Sequence, residues 1–462
     1  MNLSFLASSP WTPVYANDND ALAPELWAQE SLLQLEENMV AANLVYRDFE
    51  DSIQKEGDTV NAHLPGSFEM KRKTNLGTIV NQDAVTTNVP IVLNQHIYAS
   101  FIIGDDEQSK SFKDLVNLHL GPAVRAIASG IDQIVLGQAY QFLGYAAGNL
   151  GTTPDNTDIL RLGKLFDENK VPPEGRNLII TPSQKEDFLA LELFVSAEKV
   201  GDDGTALREA SLGRKLGFNT YMCQNAPSIA AGNTAVTGAI NLSAGYAAGA
   251  TSITVDGLSA AVTAGSWFTV AGDMTPQMIL TSTGGTVPTA LTFTPGLRNA
   301  VVNDAVVTIY TPGAINLTAG YAANNITPLA VDGFSVAPRS GQMISLGNDA
   351  TADIYSAINT PTTTAIDIER PLDAIAANDT VVGIGPPGDY GFAFHREALA
   401  LVIRPLALPM SGLVRASVVS YNGLSIRVVI SYNAERQGHQ VTIDLLAGIK
   451  TLNSLLGAVL FS

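Results

Sequence analysis

Cysteine is almost missing from this chain: Cys223 is the only one in 462 residues. One thiol excludes an intrachain disulfide framework and a thiolate-rich metal site, and a lone cysteine most often serves as a small buried hydrophobe. Basic residues are scarce as well, 26 Lys and Arg against 44 Asp and Glu, for a formal charge of −18. Proteins that hold nucleic acid by neutralising phosphates draw their affinity from displaced counterions, so this balance argues against that mode. It is compatible with a surface that lies beside nucleic acid without clinging to it. No apolar run approaches the roughly 18 residues that cross a bilayer. The opening stretch, MNLSFLASSPWTPVYANDND, lacks the basic region of a secretory signal and reads as an exposed arm.

Catalytic signatures are absent too. The chain has no GxxxxGK[ST] phosphate loop and no GxSxG nucleophile elbow. His63, His96, His119, His395 and His439 are scattered singly, without metal-ligand spacing, and read as satisfied structural histidines. Glu36-Glu37 and Asp202-Asp203 are adjacent carboxylates, but nothing fixes the separation that a two-carboxylate mechanism requires. Gly201-Asp202-Asp203-Gly204 is only weakly like a calcium turn and lacks the spaced ligands. The expectation is no enzyme, no metal and no cofactor.

What is present is a folded composition, 46% hydrophobic and 15% charged, in a chain long enough for two to four domains. Its most conspicuous feature is a repeat. Gly238–Ala248 reads GAINLSAGYAA and Gly313–Ala323 reads GAINLTAGYAA, an offset of 75. Val255-Asp256-Gly257 returns as Val331-Asp332-Gly333, and Asn303-Asp304 as Asn378-Asp379. Each copy holds several short alternating runs divided by Gly, Pro and Asn, the pattern of a small antiparallel sandwich or barrel. A period this long marks two self-contained modules rather than coils of a solenoid.

The flanks are of another kind. Pro24–Tyr46 repeats Leu26, Leu32, Leu33, Leu35, Met39, Val40, Leu44 and Val45 at mostly helical steps. Thr59–Leu64 alternates as a strand, and Val89–Ile103 reads as its return, so Thr59–Ile103 is a long two-stranded excursion. Such a ribbon is marginal alone in water and needs something to lie on. Its polar turn carries Lys71, Arg72 and Lys73: a contact for a phosphate or a partner, or merely a solvated tip. Ser111–Phe142 is the longest helical pattern, and Gly121-Pro122 is expected to kink or restart it. Asp105, Asp106 and Glu107 precede it, where negative charge suits a helix N-terminus. Further elements are a helix at Thr157–Asn169, a strand at Asn177–Thr181, a helix from Pro182 and a strand at Leu216–Cys223. After Pro387 come Phe392–Arg404, strands at Val414–Val419, Leu424–Ser431 and His439–Leu445, and an apolar segment Ile449–Phe461 that needs burial. The flanks match each other better than either matches the repeats, which makes the repeats an insertion.

Four blocks carry a resemblance. ALAPELWAQESLLQLEENMVAANLVYRDFED followed by GDTV, GFNTYMCQNAP (Gly217–Pro227), GFAFHREALALVIRPL (Gly391–Leu406) and the stretch Tyr421–Leu460 occur in the order expected of the major capsid proteins of tailed bacteriophages. The chain resembles in particular the P22-type coat proteins with the HK97 fold. The resemblance implies an α+β, HK97-like fold comprising an N-terminal arm and helix (1–56), an E-loop (57–103) and a peripheral domain with a spine helix (104–150). An axial domain follows in two parts (151–230 and 388–410), and peripheral C-terminal strands close it (411–462). The inserted all-β modules occupy 231–312 and 313–387. Relatives carry an inserted β-domain at this point; two related copies are a departure.

The implied function is a coat subunit of a virion. Hexamers and pentamers of it would close an icosahedral shell around double-stranded DNA without sequence-specific binding and without a membrane. Assembly would take place in the host cytoplasm, with a separate scaffolding protein, a portal, and a decoration or cement protein as further partners. Inter-subunit contact is expected between Lys71, Arg72, Lys73 and Asp105, Asp106, Glu107, on charge complementarity. The two modules are expected to project from the outer face. The alternative is a phage fibre or surface adhesin that grips a receptor through the β repeats, where Tyr246, Trp267, Tyr310 and Tyr321 are the aromatics on offer.

Overall fold

The computed structural model describes residues 24–48, 57–64, 70–73, 75, 77–79, 81–82, 87–104, 116–195, 209–232, 235–258, 262–283, 290–347, 354–409, 414–421 and 423–462. The architecture is α+β with more sheet than helix. Two sheets and one long helix form the body, and two closed barrels attach to it.

The five-stranded sheet is built on Gly438–Thr451. Along one edge this strand pairs with Gln95–Gly104; along the other it pairs first with Leu424–Asn433 and then with Leu399–Arg404. Arg415–Tyr421 completes the sheet beside Leu424–Asn433. In the seven-stranded sheet the order is Ala146–Gly148, Gly457–Phe461, Gly388–His395, Arg176–Ile180, Phe218–Met222 and Arg214–Lys215, with Ser228–Ile229 on the start of Gly388–His395. The chain crosses between the sheets through short 3-10 turns at Arg396–Ala398 and Ser454–Leu456. Of the apolar segment Ile449–Phe461, expected to need burial, Gly457–Phe461 is a buried inner strand, whereas Lys450, Ser454 and Leu455 are exposed.

The long helix spans both the cores and the barrels. It opens with a π-helical turn, Val116–Leu120, becomes α-helical at Gly121–Gly137 and tightens to 3-10 at Gln138–Phe142. Pro122 stands in the first turn of the α-helical part, just after the π-helical turn, so its missing N–H falls where the hydrogen-bond pattern changes. The predicted restart at Gly121-Pro122 is therefore a change of helix type. Leu120, Val124, Ile127, Ile131 and Val135 belong to the same buried cluster as Trp27, Leu35, Ile426 and Ile443, the main core.

The N-terminal helix is shorter than predicted. It covers Pro24–Asn38, and a second short helix, Ala41–Leu44, follows a break. Asp132 of the long helix causes the break: its carboxylate accepts the N–H groups of Val40 at 2.9 Å and Ala42 at 3.0 Å, which a continuous helix would have used internally. Leu26 and Leu33, expected on the buried stripe, are 42% and 54% exposed, because Trp27, Leu32 and Leu35 occupy the covered face.

Each repeat closes into a six-stranded barrel. Barrel 1 runs from Ala235–Ile240 to Val306–Tyr310 and barrel 2 from Gly313–Ile315 to Val381–Ile384. Numbered within each barrel, both have the circular strand order 1-2-5-4-3-6. Closure removes the sheet edges that six short strands would otherwise expose. The repeated letters are turn chemistry. Gly245 and Gly320 have φ of 66° and 63°, and the space a Cβ would take there holds the carbonyl of Val301 or Ala376. Tyr246 and Tyr321 follow, and their hydroxyls accept the backbone N–H of Thr254 at 2.8 Å and of Ala330 at 2.7 Å. Asp304 and Asp379 take left-handed φ of 63° and 61°, each held by the preceding Asn amide at 2.8 Å.

The chain leaves the body after Ile229 and re-enters at Gly388, and these residues are paired neighbours in one ladder. Between those points the barrels seat on the body. Gly137 makes room for Glu369 and Ser356 of barrel 2, and the Tyr140 hydroxyl donates to the Gly341 carbonyl. Barrel 1 adds Trp267, Met278 and Tyr310 to the main core, and Arg298 Nη2 donates to the carbonyl of Gly148 at 2.6 Å and to Asn149 Oδ1 at 2.7 Å.

Candidate functional site

The excursion predicted from the sequence exists as a ribbon, but the single return strand expected at Val89–Ile103 is two: Thr87–Val92 closes the ribbon, and Gln95–Gly104 leaves it to join the five-stranded sheet. Thr59–Leu64 pairs antiparallel with Thr87–Val92, from Thr59 opposite Val92 to Leu64 opposite Thr87. Its base is tied by Gly57 N–H to the Leu93 carbonyl at 2.7 Å and by Leu93 N–H to the Asp58 carbonyl at 2.9 Å. One side of the base lies on the body: Ala62, Ile91 and Leu93 pack on Ala400, Val402 and Leu446. Of the described residues farther out, from Met70 to Gln82, none belongs to this cluster. Met70 is 82% exposed and Ile79 77%, the two highest values among the exposed large apolar side chains. Lys71, Arg72 and Lys73, next to Met70, are also exposed. Asp105, Asp106 and Glu107 lie outside the described residues, so no pairing of the two charge clusters is placed.

The strand that follows the ribbon, Gln95–Gly104, carries no charged Asp, Glu, Lys or Arg and no proline. Among the described residues it pairs with one strand only, Gly438–Thr451. Polar pairs fix that register from the outer face. Asp444, nearly buried, receives Arg427 Nε at 2.8 Å and a second contact from Nη2, and His96 Nε2 stands 3.3 Å from its other oxygen. Ser100 and Thr442 are linked hydroxyl to hydroxyl at 3.0 Å. The periodicity of the sequence could not find this network, because His96 and Ser100 lie more than 300 positions from Asp444 and Thr442.

The remaining candidates have structural partners. His119 stacks on Phe101 with ring centroids 5.6 Å apart, His439 meets the Tyr432 ring edge-on at 5.2 Å, and His395 Nδ1 accepts the Glu397 N–H at 3.4 Å. The His63 side chain and Gly201–Gly204 lie outside the described residues. Cys223 is buried with its Sγ 3.9 Å from Asp132, and burial pushes the thiol up to about 12, which leaves it a poor nucleophile. Burial likewise raises Asp132 to about 6, against the opposing pull of its backbone N–H donors. Among the described residues no group of three or more His, Cys, Asp or Glu is placed to hold a metal ion, and no helix is long and apolar enough to cross a membrane.

The barrels offer no aromatic platform for a glycan. Trp267, Phe268, Phe293, Tyr310, Tyr321 and Tyr355 are buried, and Tyr246 and Phe334 are half-buried. A cleft of about 400 Å³ lies where barrel 2 meets the body, between Arg370, Gln138, Gln141, Lys450 and the ribbon base at Pro90 and Asn94. Its open, polar lining has none of the apolar enclosure typical of a small-molecule site.

No family model matches the chain, and no curated protein does. Solved structures do. The chain is similar to the capsid structure of the cyanophage P-SCSP1u, at 10% identity and a TM-score of 0.42 over 92% of this chain and 88% of that one. It is similar to a chain of the asymmetric unit of the bacteriophage PhiM1 mature capsid, at 9% identity and a TM-score of 0.39 over 88% and 83%. A third likeness, to the capsid of Ralstonia phage GP4, has 8% identity and a TM-score of 0.37 over 91% and 87%.

Proposed function

We propose that this chain is the major capsid protein of a tailed phage, an HK97-like subunit that assembles into the icosahedral head shell around double-stranded DNA. The ribbon tip carries the reading. An excursion whose described residues pack on its own body at the base, and then present Met70 and Ile79 to water beside three cations, has the form of an element completed by a neighbouring copy. The four sequence blocks that resemble the family, in order on both flanks, support the same conclusion. In this reading the E-loop expected over Thr59–Ile103 is the ribbon that ends with Thr87–Val92, the long helix is the spine, and residues 231–387 are an insertion carried on the outer face. Lys71, Arg72 and Lys73 meet Asp105, Asp106 and Glu107 of an adjacent copy.

Electron microscopy of the expressed protein tests the reading: closed shells or capsomers support it, and trimeric rods overturn it in favour of a fibre. For the contact itself, K71E/K73E should leave soluble subunits and reduce shell yield. A contact weakened by about 1.4 kcal/mol costs tenfold in its equilibrium constant, and a shell repeats each contact many times. Normal particles from the double variant would reject the assigned contact while leaving the capsid reading intact.

A further inference from the structure

The two barrels are joined by a turn of one set into the wall of the other. Ala264-Gly265 of barrel 1 enters barrel 2 between the strand ends Ser345–Gly347 and Val381–Gly383. Ser345 Oγ donates to the Gly265 carbonyl at 2.5 Å. A Cβ on Gly347 would stand 2.5 Å from the Ala264 carbonyl oxygen, one on Gly265 would stand 2.6 Å from Gly347 Cα, and one on Gly383 would overlap the Gly265 carbonyl oxygen. Three glycines make this approach possible.

The repeat allows the same places to be found in the other barrel. Gly347 N–H donates to the Val381 carbonyl at 2.8 Å, and Ala271 N–H donates to the Val306 carbonyl at 2.8 Å. Ser345 is paired with Gly383, and Thr269 with Thr308. Ala271 and Thr308 therefore stand where barrel 2 has Gly347 and Gly383, and an incoming turn would meet their Cβ atoms. The inserting turn also has a counterpart. Gly265 N–H donates to the Ile279 carbonyl at 2.8 Å and Gly341 N–H to the Ala357 carbonyl at 2.7 Å, which makes Gly341 the equivalent of Gly265. On barrel 2 that turn is taken by the body: a Cβ on Gly341 would stand 3.0 Å from Pro227 Cβ, and Tyr140 donates to the Gly341 carbonyl.

We propose that Gly347 and Gly383 form a receiving socket for an Ala-Gly turn, and that Ala271 and Thr308 close the matching face of barrel 1. The joint is heterologous, so in principle it could add module after module; with barrel 1 closed, the array ends at two. This holds whatever the whole chain does.

Hydrogen exchange on the full-length chain tests it. G347A/G383T fills the socket with the residues barrel 1 carries, and amides of 262–268 should exchange at least tenfold faster. Amides of the strands Ser252–Asp256 and Leu329–Asp332 should keep their protection. The reciprocal pair A271G/T308G should leave 262–268 unchanged. No acceleration in the first pair, or equal acceleration in the second, overturns the socket. Should G347A/G383T unfold barrel 2, S345A removes the hydrogen bond without adding an atom. It should speed exchange at 262–268 about fivefold, the effect of a hydrogen bond worth about 1 kcal/mol, and an unchanged rate overturns the proposal. All four changes in one chain leave a free turn and an open face on barrel 1. That chain should associate head to tail in light scattering where G347A/G383T does not, and equal masses reject the limit of two.

Discussion

Barrel 1 and barrel 2 have one design and two situations. Strand order, tyrosine brace, left-handed Asp and the glycine under each brace are shared, and each of these is local to a module. What differs lies on the walls. Barrel 2 presents glycines to barrel 1 and buries Glu369 against the long helix at Gly137, whereas barrel 1 has threonine at the position equivalent to Glu369. Duplication thus preserved what closes a barrel and let its surroundings diverge.

The comparison breaks most easily at the shared glycines. Gly245→Val and Gly320→Val each add a branched side chain at positive φ and press it against a carbonyl, so each should destabilise its own barrel by about 3 kcal/mol or more. The loss is read as a lowered transition in denaturant for that barrel. Equal damage in the two barrels is the expected result; a tolerated change in one would mean the turns are not equivalent. Tyr246→Phe and Tyr321→Phe come next. Each removes an acceptor from a backbone N–H and should cost about 1 kcal/mol, measured the same way.

The smallest effect belongs to barrel 2 alone and appears as pH dependence. Burial raises the Glu369 carboxyl above its ordinary 4.5, with Arg370 and the Ser356 N–H pulling the other way. A raised acid binds its proton more tightly when folded. Its contribution to stability is therefore complete below about pH 4.5 and is lost as pH rises through the folded value. Glu369→Gln should flatten that slope for barrel 2 and leave barrel 1 unmoved; an unaltered slope would place the titration elsewhere.

Much of the fold could be read from the letters because it rests on local rules. The barrels follow from an offset of 75, the ribbon from alternation around a polar turn, and the helix change from Gly121-Pro122. Other features were not legible because they depend on residues far apart in the chain. Leu33 belongs by periodicity to the apolar stripe of its helix, yet the neighbouring elements cover the opposite side. The break before Ala41 is set by Asp132, 90 positions from Ala42. Of the candidate contact residues, Lys71, Arg72 and Lys73 stand exposed on the ribbon as the sequence suggested. A contact with a second molecule, as proposed for them, is not encoded by any pattern within one chain. The socket was hidden differently: Gly347 and Gly383 gain meaning only when superposed on Ala271 and Thr308.

The inner strand Gly457–Phe461 has a consequence for the order of events on a ribosome. It pairs with Ala146–Gly148 on one side, Val459 opposite Ala146, so one ladder joins residues made 313 positions apart. Each barrel closes within about 75 residues, and pairings of short span form before those of long span. The appended modules should therefore be finished while the body that carries them still waits for its middle strand. Until then Gly388–His395 has an open side, and the nascent chain holds two completed barrels on an incomplete sheet.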